Sequence, residues 1–226
     1  MTRKPFFIFV LSVFLAACQN HNEVTVVGAV YDDEVMHALQ QPQENDNKKR
    51  TPIVFDTGEI AQTCSEYLHL IAGAALKEDT YNQVVKSEYL LCEVLAIIGN
   101  RKLSAGRQDV TFGQALATRL DLRSFPSSLH QMLDKQKHSL NQLDEKAVKA
   151  ESTAVIYETE DWHYRLDLVA TLDVNNNGKA DWILWLINEA KSGSYRQYQT
   201  LIAHDVSATD LISAAPYVAT MAAQHK

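Results

Sequence analysis

Residues 154–203 read AVIYETEDWHYRLDLVATLDVNNNGKADWILWLINEAKSGSYRQYQTLIA, a stretch rich in Val, Ile, Tyr, Trp and Thr. Apolar residues there tend to alternate with polar ones, the period of an extended strand with two unlike faces. Four segments, 154–159, 164–172, 182–187 and 195–203, carry the pattern, and turn residues separate them. Connections this short join antiparallel neighbours, so the stretch predicts a four-stranded antiparallel meander. The alternation places Trp182 on one face and Trp185 on the other. One face must pack on helices, and the other is a candidate binding surface.

Upstream the period changes to that of a helix. Over 59–98, Ile60, Cys64, Leu68 and Ile71 recur at helical spacing, with Asp56 and Glu59 spaced like a capping box. Glu78-Asp79-Thr80 interrupts, and Val84, Val85, Leu91, Leu95 and Ile98 continue until Gly99. That is a helical hairpin. Cys64 lies fourteen residues before Glu78 and Cys92 fourteen after, so a turn there brings them level across the helix interface. A disulfide needs such a short Cα separation, and would add roughly 3–4 kcal/mol. The alternative is a pair of buried thiols serving as small apolar residues. Further helices are expected at 111–120, 127–150 and 207–224. Helices first and sheet second give an α+β fold, its helices packed on one sheet face, in a single domain spanning 53–226.

Composition narrows the function. The chain has 226 residues, 46% hydrophobic and 22% charged, so it can bury an ordinary core. Its formal net charge of −7 argues against a nucleic-acid partner, which requires clustered Lys and Arg.

The N-terminus reads as an address. Arg3 and Lys4 precede ten residues, Phe6 to Leu15, that are apolar except for Ser12 and too few to cross a bilayer. Leu15-Ala16-Ala17-Cys18 follows, and this segment resembles the lipobox of bacterial lipoproteins. The resemblance implies a signal peptide over 1–17 and a diacylglyceryl group and further acyl chain (palmitate-type) on Cys18. Several acyl chains make a stable membrane anchor. Gln19 follows in place of the Asp that resembles an inner-membrane retention signal, so the implied location is the outer membrane, facing the periplasm. An ordinary secretory signal is the alternative. Residues 18–52 read as a lipidated flexible tether, with a possible short strand at 24–30 and a polar run at 40–50 that has little to bury. Arg101, Lys102 and Arg107 form a basic loop that could touch anionic lipid or simply be solvated.

Between the second and third strands stands Asp173-Val174-Asn175-Asn176-Asn177-Gly178-Lys179-Ala180-Asp181. It offers side-chain oxygens at its positions 1, 3, 5 and 9, a glycine at 6 and a backbone carbonyl at 7, the hard donors Ca²⁺ prefers. The loop resembles those of EF-hands, dockerins and the FG-GAP/VCBS-type repeats. The resemblance implies Asp173, Asn175, Asn177 and Asp181 as side-chain ligands and Lys179 as a carbonyl ligand. Leu184 stands where an EF-hand has its bidentate Glu, and both inner acids are Asn, which points to weak affinity, around 10⁻⁴–10⁻³ M. An Asn/Gly hairpin loop without metal is the competing account.

Val54-Phe55-Asp56-Thr57-Gly58 superficially resembles the catalytic turn of aspartic proteases, but no second copy exists to share a proton. Glu158, Glu160, Asp161 and His163 cluster around Trp162 and offer acid/base groups. No string for a serine nucleophile, zinc or nucleotide site is present. The expected protein is therefore an outer-membrane lipoprotein, a non-enzymatic binding or accessory component that meets an envelope protein partner and is stabilised by Ca²⁺. A periplasmic inhibitor or immunity-type lipoprotein and an envelope glycan or peptide hydrolase are the alternatives.

Overall fold

A computed structural model describes residues 28–107 and 111–220. The expected signal peptide, the lipidation site Cys18 and tether residues 18–27 lie outside the described residues. The fold is mixed α+β, a large sheet with several helices.

The meander forms where the alternation placed it. Strands β6 (Ala154–Glu158), β7 (Trp162–Leu172), β8 (Asp181–Ala190) and β9 (Arg196–Ala203) follow one another antiparallel. Four short strands enlarge it: β1 (Ala29–Val30), β4 (Ser104–Ala105), β5 (Val148–Ala150) and β10 (Ala214–Pro216). The order is β10-β9-β8-β7-β1-β4, with β6 also paired to β7 and β5 to β6. Both β6 and β1 therefore lie along one edge of β7: β6 pairs its first half and β1 pairs Ala170 and Thr171. The register shift between Leu168 and Ala170 falls at this changeover. There the carbonyl of Val169 accepts the Tyr31 amide at 2.8 Å, and an extra residue re-aims the strand toward a new partner.

Both faces of the sheet are packed. On one, Tyr164, Leu166, Trp182, Leu184, Leu186 and Leu201 meet α6 (Phe112–Arg119), α7 (Leu140–Asp144) and 3₁₀ turns at Leu122–Ser124 and Ser128–Met132. Phe112 stands edge-on to Trp182, with centroids 5.0 Å apart. On the other, Val169, Ile183 and Trp185 meet α1 (Asp33–Gln40) and α5 (Leu90–Ile98). Each fully buried Leu or Ile contributes about 1.5–3 kcal/mol. The open sheet face expected for binding is thus reduced. What stays half-buried is the distal row Ile156, Arg165, Ile187 and Tyr198, beyond the reach of α5.

A satellite cluster surrounds the disulfide. Cys64 and Cys92 are bonded, with Cα atoms 5.1 Å apart, and they join α3 (Cys64–Ile71) to α5. The hairpin has different ends from those expected. Asp56 caps no helix. Residues 55–59 turn between β2 (Ile53–Val54) and β3 (Ile60–Ala61), with Gly58 at φ 86°. Thr63 caps α3 instead, its hydroxyl accepting from Glu66 N–H. The second arm is α4 (Thr80–Val85), a 3₁₀ turn at Lys86–Tyr89, and α5. Beside the bridge, the Tyr67 hydroxyl donates to Glu93 at 2.7 Å, and Lys86 bonds both groups. Burial, then the Glu93 charge, pushes the Tyr67 phenol up.

Beyond the Asp56 cap and the packing of helices on one face only, three further expectations fail. Residues 28–52 are not a flexible tether: Val30, Val35 and Ala38 lie in the core, Asp32 caps α1 through Val35 N–H, and Pro42 opens α2 (Pro42–Asn47). Few as these apolar residues are, they fill a gap between β7 and α5. The expected helix over 127–150 breaks into 3₁₀ turns, α7 and β5, because the run 134–138 has no apolar stripe to hold one helix. The expected helix over 207–224 is replaced, as far as residue 220, by irregular chain and β10. Its Pro216 ends an edge strand, where the missing N–H costs nothing.

Candidate functional site

The loop 173–181 joins β7 to β8 at one end of the sheet. Two residues sit in the left-handed region, Asn176 at φ 59° and Gly178 at φ 83°, which the reversal needs and which Asn and Gly tolerate. The side chains close on the loop's own backbone. The Asp173 carboxylate accepts Asn177 N–H at 3.0 Å and Gly178 N–H at 2.7 Å. The Asn175 side-chain oxygen accepts Asn177 N–H at 3.1 Å, and that of Asn177 accepts Lys179 N–H at 2.9 Å.

Asp181 is different. It is fully buried, and its two oxygens accept Val174 N–H and Asp205 N–H, each at 2.8 Å. His204 Nδ1 lies 3.3 Å from the same carboxylate. Asp181 thereby ties the start of the loop to the turn after β9. Asp205, at φ 56°, adds a second tie from above: it accepts the Asn177 amide at 2.6 Å and Lys179 Nζ at 3.0 Å. The Asn177 bond first, and Lys179 next, hold the Asp205 carboxyl below the usual range. The loop motif gave no sign of His204 or Asp205. A polar pair directly after an apolar strand was the only signal.

The donor set is compatible with a hard cation but narrower than the motif implied. A carboxylate has about four lone-pair sites, so Asp173 keeps acceptor capacity beyond its two N–H bonds. Asn175 and Asn177 likewise each accept one N–H. Asp181 sits behind them, already shared by two amides and His204. Among the described residues no three acids, histidines or cysteines converge as a metal group. The residues able to hold a cation are thus Asp173, Asn175 and Asn177, with Asp181 and the Lys179 carbonyl as the motif's remaining donors.

The acidic cluster lies at the opposite end of the sheet. Glu158 pairs with Lys191 at 2.7 Å and His163 at 2.6 Å, all at an exposed hairpin end. The Lys191 bond, then that of His163, lowers the Glu158 carboxyl. A general acid at neutral pH needs the opposite shift. Trp162 stands edge-on to Tyr195 nearby, with centroids 5.4 Å apart. Asp56, of the protease-like string, is exposed at the tip of the β2–β3 hairpin.

No described helix is long and apolar enough to cross a membrane. Compared with known proteins, the chain matches no family model, and no characterised protein or solved structure resembles it significantly.

Proposed function

We propose that the chain is an outer-membrane-anchored periplasmic lipoprotein that acts as a non-enzymatic binding or accessory component of the envelope. The observation that carries this reading is the cysteine arithmetic. Of three cysteines, Cys64 and Cys92 are joined, which leaves Cys18 at the end of its lipobox for the lipid. A bridge inside the folded body suits an oxidising compartment. Recognition belongs to the half-open distal row of the sheet and its edge, where half-buried Trp162 meets exposed Tyr195. Glu158 is held there in pairs with Lys191 and His163.

Fractionation tests the anchor. The native chain is expected in the outer membrane and Cys18→Ala in the soluble periplasm. A native chain found soluble, or a variant still in the membrane, refutes it.

Ca²⁺ at Asp173, Asn175 and Asn177 belongs to the same proposal, as a stiffener of the loop. A cation bound only by the native state at a site of about 10⁻⁴–10⁻³ M affinity stabilises it by roughly 0.4–1.4 kcal/mol at about 1 mM. The melting temperature should rise in millimolar Ca²⁺ relative to chelator, and Asp173→Ala should remove the rise. An unchanged melting temperature refutes the metal and leaves the loop as a hydrogen-bonded turn.

A further inference from the structure

The chain enters the folded body at a definite place. Gly28 precedes β1, and its carbonyl accepts Ser104 N–H at 3.3 Å. A Cβ at Gly28 would meet Leu103 at 2.4 Å and the Thr171 carbonyl at 3.0 Å, so the entering strand lies flush against β4 and the end of β7. That is the end of the sheet where β7 passes into the loop 173–181, here termed proximal. The basic loop arrives at the same place: Arg101 donates to the Val174 carbonyl at 3.1 Å and to the carbonyls of Ile97 and Ile98. Lys102 is exposed beside it, and Lys179 projects from the facing loop, 65% exposed. Residues 101–107 contain three cations and no carboxylate. Among the described residues the acids at this end are Asp173, its oxygens turned onto the loop backbone, buried Asp181, Asp205, which is paired with Lys179, and Asp210, which accepts the Ser207 hydroxyl.

Cys18 is ten Cα steps from Gly28, which span at most about 33–36 Å when fully extended. A random coil of that length would span about 17 Å. β7 itself is 11 residues, about 33 Å long. A body held at Cys18 by so short a link has its proximal end nearest the bilayer and its distal turns a strand length further out.

We infer that the proximal end is the membrane-apposed surface, and that Arg101, Lys102 and Lys179 meet the phosphate headgroups of the lipid leaflet that holds Cys18. This rests on the lipoprotein reading above. The charge distribution agrees with it: an acidic chain presents a local run of cations where its linker emerges, and anionic lipid attracts such a run. The distal Trp162–Tyr195 edge then faces away from the bilayer, toward a partner.

Lysine acetylation read by mass spectrometry tests the orientation. The native lipidated chain is placed in vesicles of phosphatidylethanolamine and phosphatidylglycerol and compared with the soluble Cys18→Ala chain. Lys102 and Lys179 should react about three-fold or more slowly on vesicles, while Lys191 and Lys149 keep their soluble rates. Vesicles of phosphatidylcholine alone should weaken the protection. Equal protection of all four lysines, or protection confined to Lys191 and Lys149, overturns the inference. The Cys18 peptide is weighed in the same sample: an unmodified Cys18 sinks the lipoprotein reading, whereas a lipidated chain with flat protection sinks the orientation alone.

Discussion

Asp181→Ala separates the two roles that one loop motif assigns alike to Asp173 and Asp181. In the folded chain the Asp181 carboxylate is fully buried and accepts two backbone N–H groups, from Val174 and Asp205. Removing it strands both donors, and an unsatisfied buried donor costs about 1–3 kcal/mol. The two amides are partly buried, so the lower half of that range applies, giving about 2–4 kcal/mol in total. For a chain of this size that lowers the melting temperature by about 5–15 °C. Asp173→Ala also loses two N–H bonds, but at exposed positions where water replaces them, and costs roughly 0.5–1 kcal/mol. Asp181→Asn keeps one acceptor oxygen and should lose about half as much as Asp181→Ala. The assay is thermal unfolding of the chain from residue 19 onward, in chelator, so that no cation contributes. If Asp181→Ala and Asp173→Ala melt within about 1 °C of each other there, Asp181 is not the latch described.

Replacing Cys64 and Cys92 together by Ala opens a loop 28 residues long and should cost roughly 3–4 kcal/mol, read as a lower urea midpoint. An unchanged midpoint would show that the surrounding cluster alone holds α3 to α5. At the alkaline limit, burial raises the phenols of Tyr67 and Tyr164, and lifts Tyr89 and Tyr217 to about 12. The folded chain keeps those protons above the ordinary value of 10, so the unfolded chain releases them first. Stability should therefore hold below pH 10 and fall between pH 10 and 12, with phenolate absorbance rising together with unfolding; phenolate appearing before any loss of structure would contradict this. Gly113→Ala would set a Cβ 2.1 Å from the carbonyl oxygens of Glu151 and Ala154, forcing α6 off the sheet at a cost of about 1–3 kcal/mol. Gly73→Ala meets nothing within 4 Å and serves as its control; equal melting of the two variants would refute the close approach.

The meander was legible because strands with two unlike faces write a period of two, and all four observed strands overlap the expected ones. The cysteine pair was legible because both cysteines stand at equal separations from the turn expected near Glu78, although the arms themselves are unequal, α3 on one side and α4, a 3₁₀ turn and α5 on the other. Elements of two or three residues leave no such record. β4 and β10 have no periodicity to read and exist because a neighbouring edge offers hydrogen bonds, that of β1 to β4 and that of β9 to β10, whereas β1 falls at the end of the short strand expected over 24–30. The helix expected over 207–224 failed on the same point. Its apolar residues satisfied a helical spacing, while the open edge of β9 took residues 214–216 as a strand.

At the candidate site, the chain by itself determined the loop's side-chain oxygens, the glycine that turns it and the residue types of the distal edge. These depend on local chemistry, and local chemistry is carried by neighbours in sequence. Only the tertiary structure decided that Asp181 is a buried latch, that Asp205 and His204 join it from 24 and 23 residues away, and that both sheet faces are covered beside the tryptophans. Those outcomes depend on which segments fold against one another. A carboxylate becomes a latch, rather than an open ligand, when packing removes the water that would otherwise compete for it.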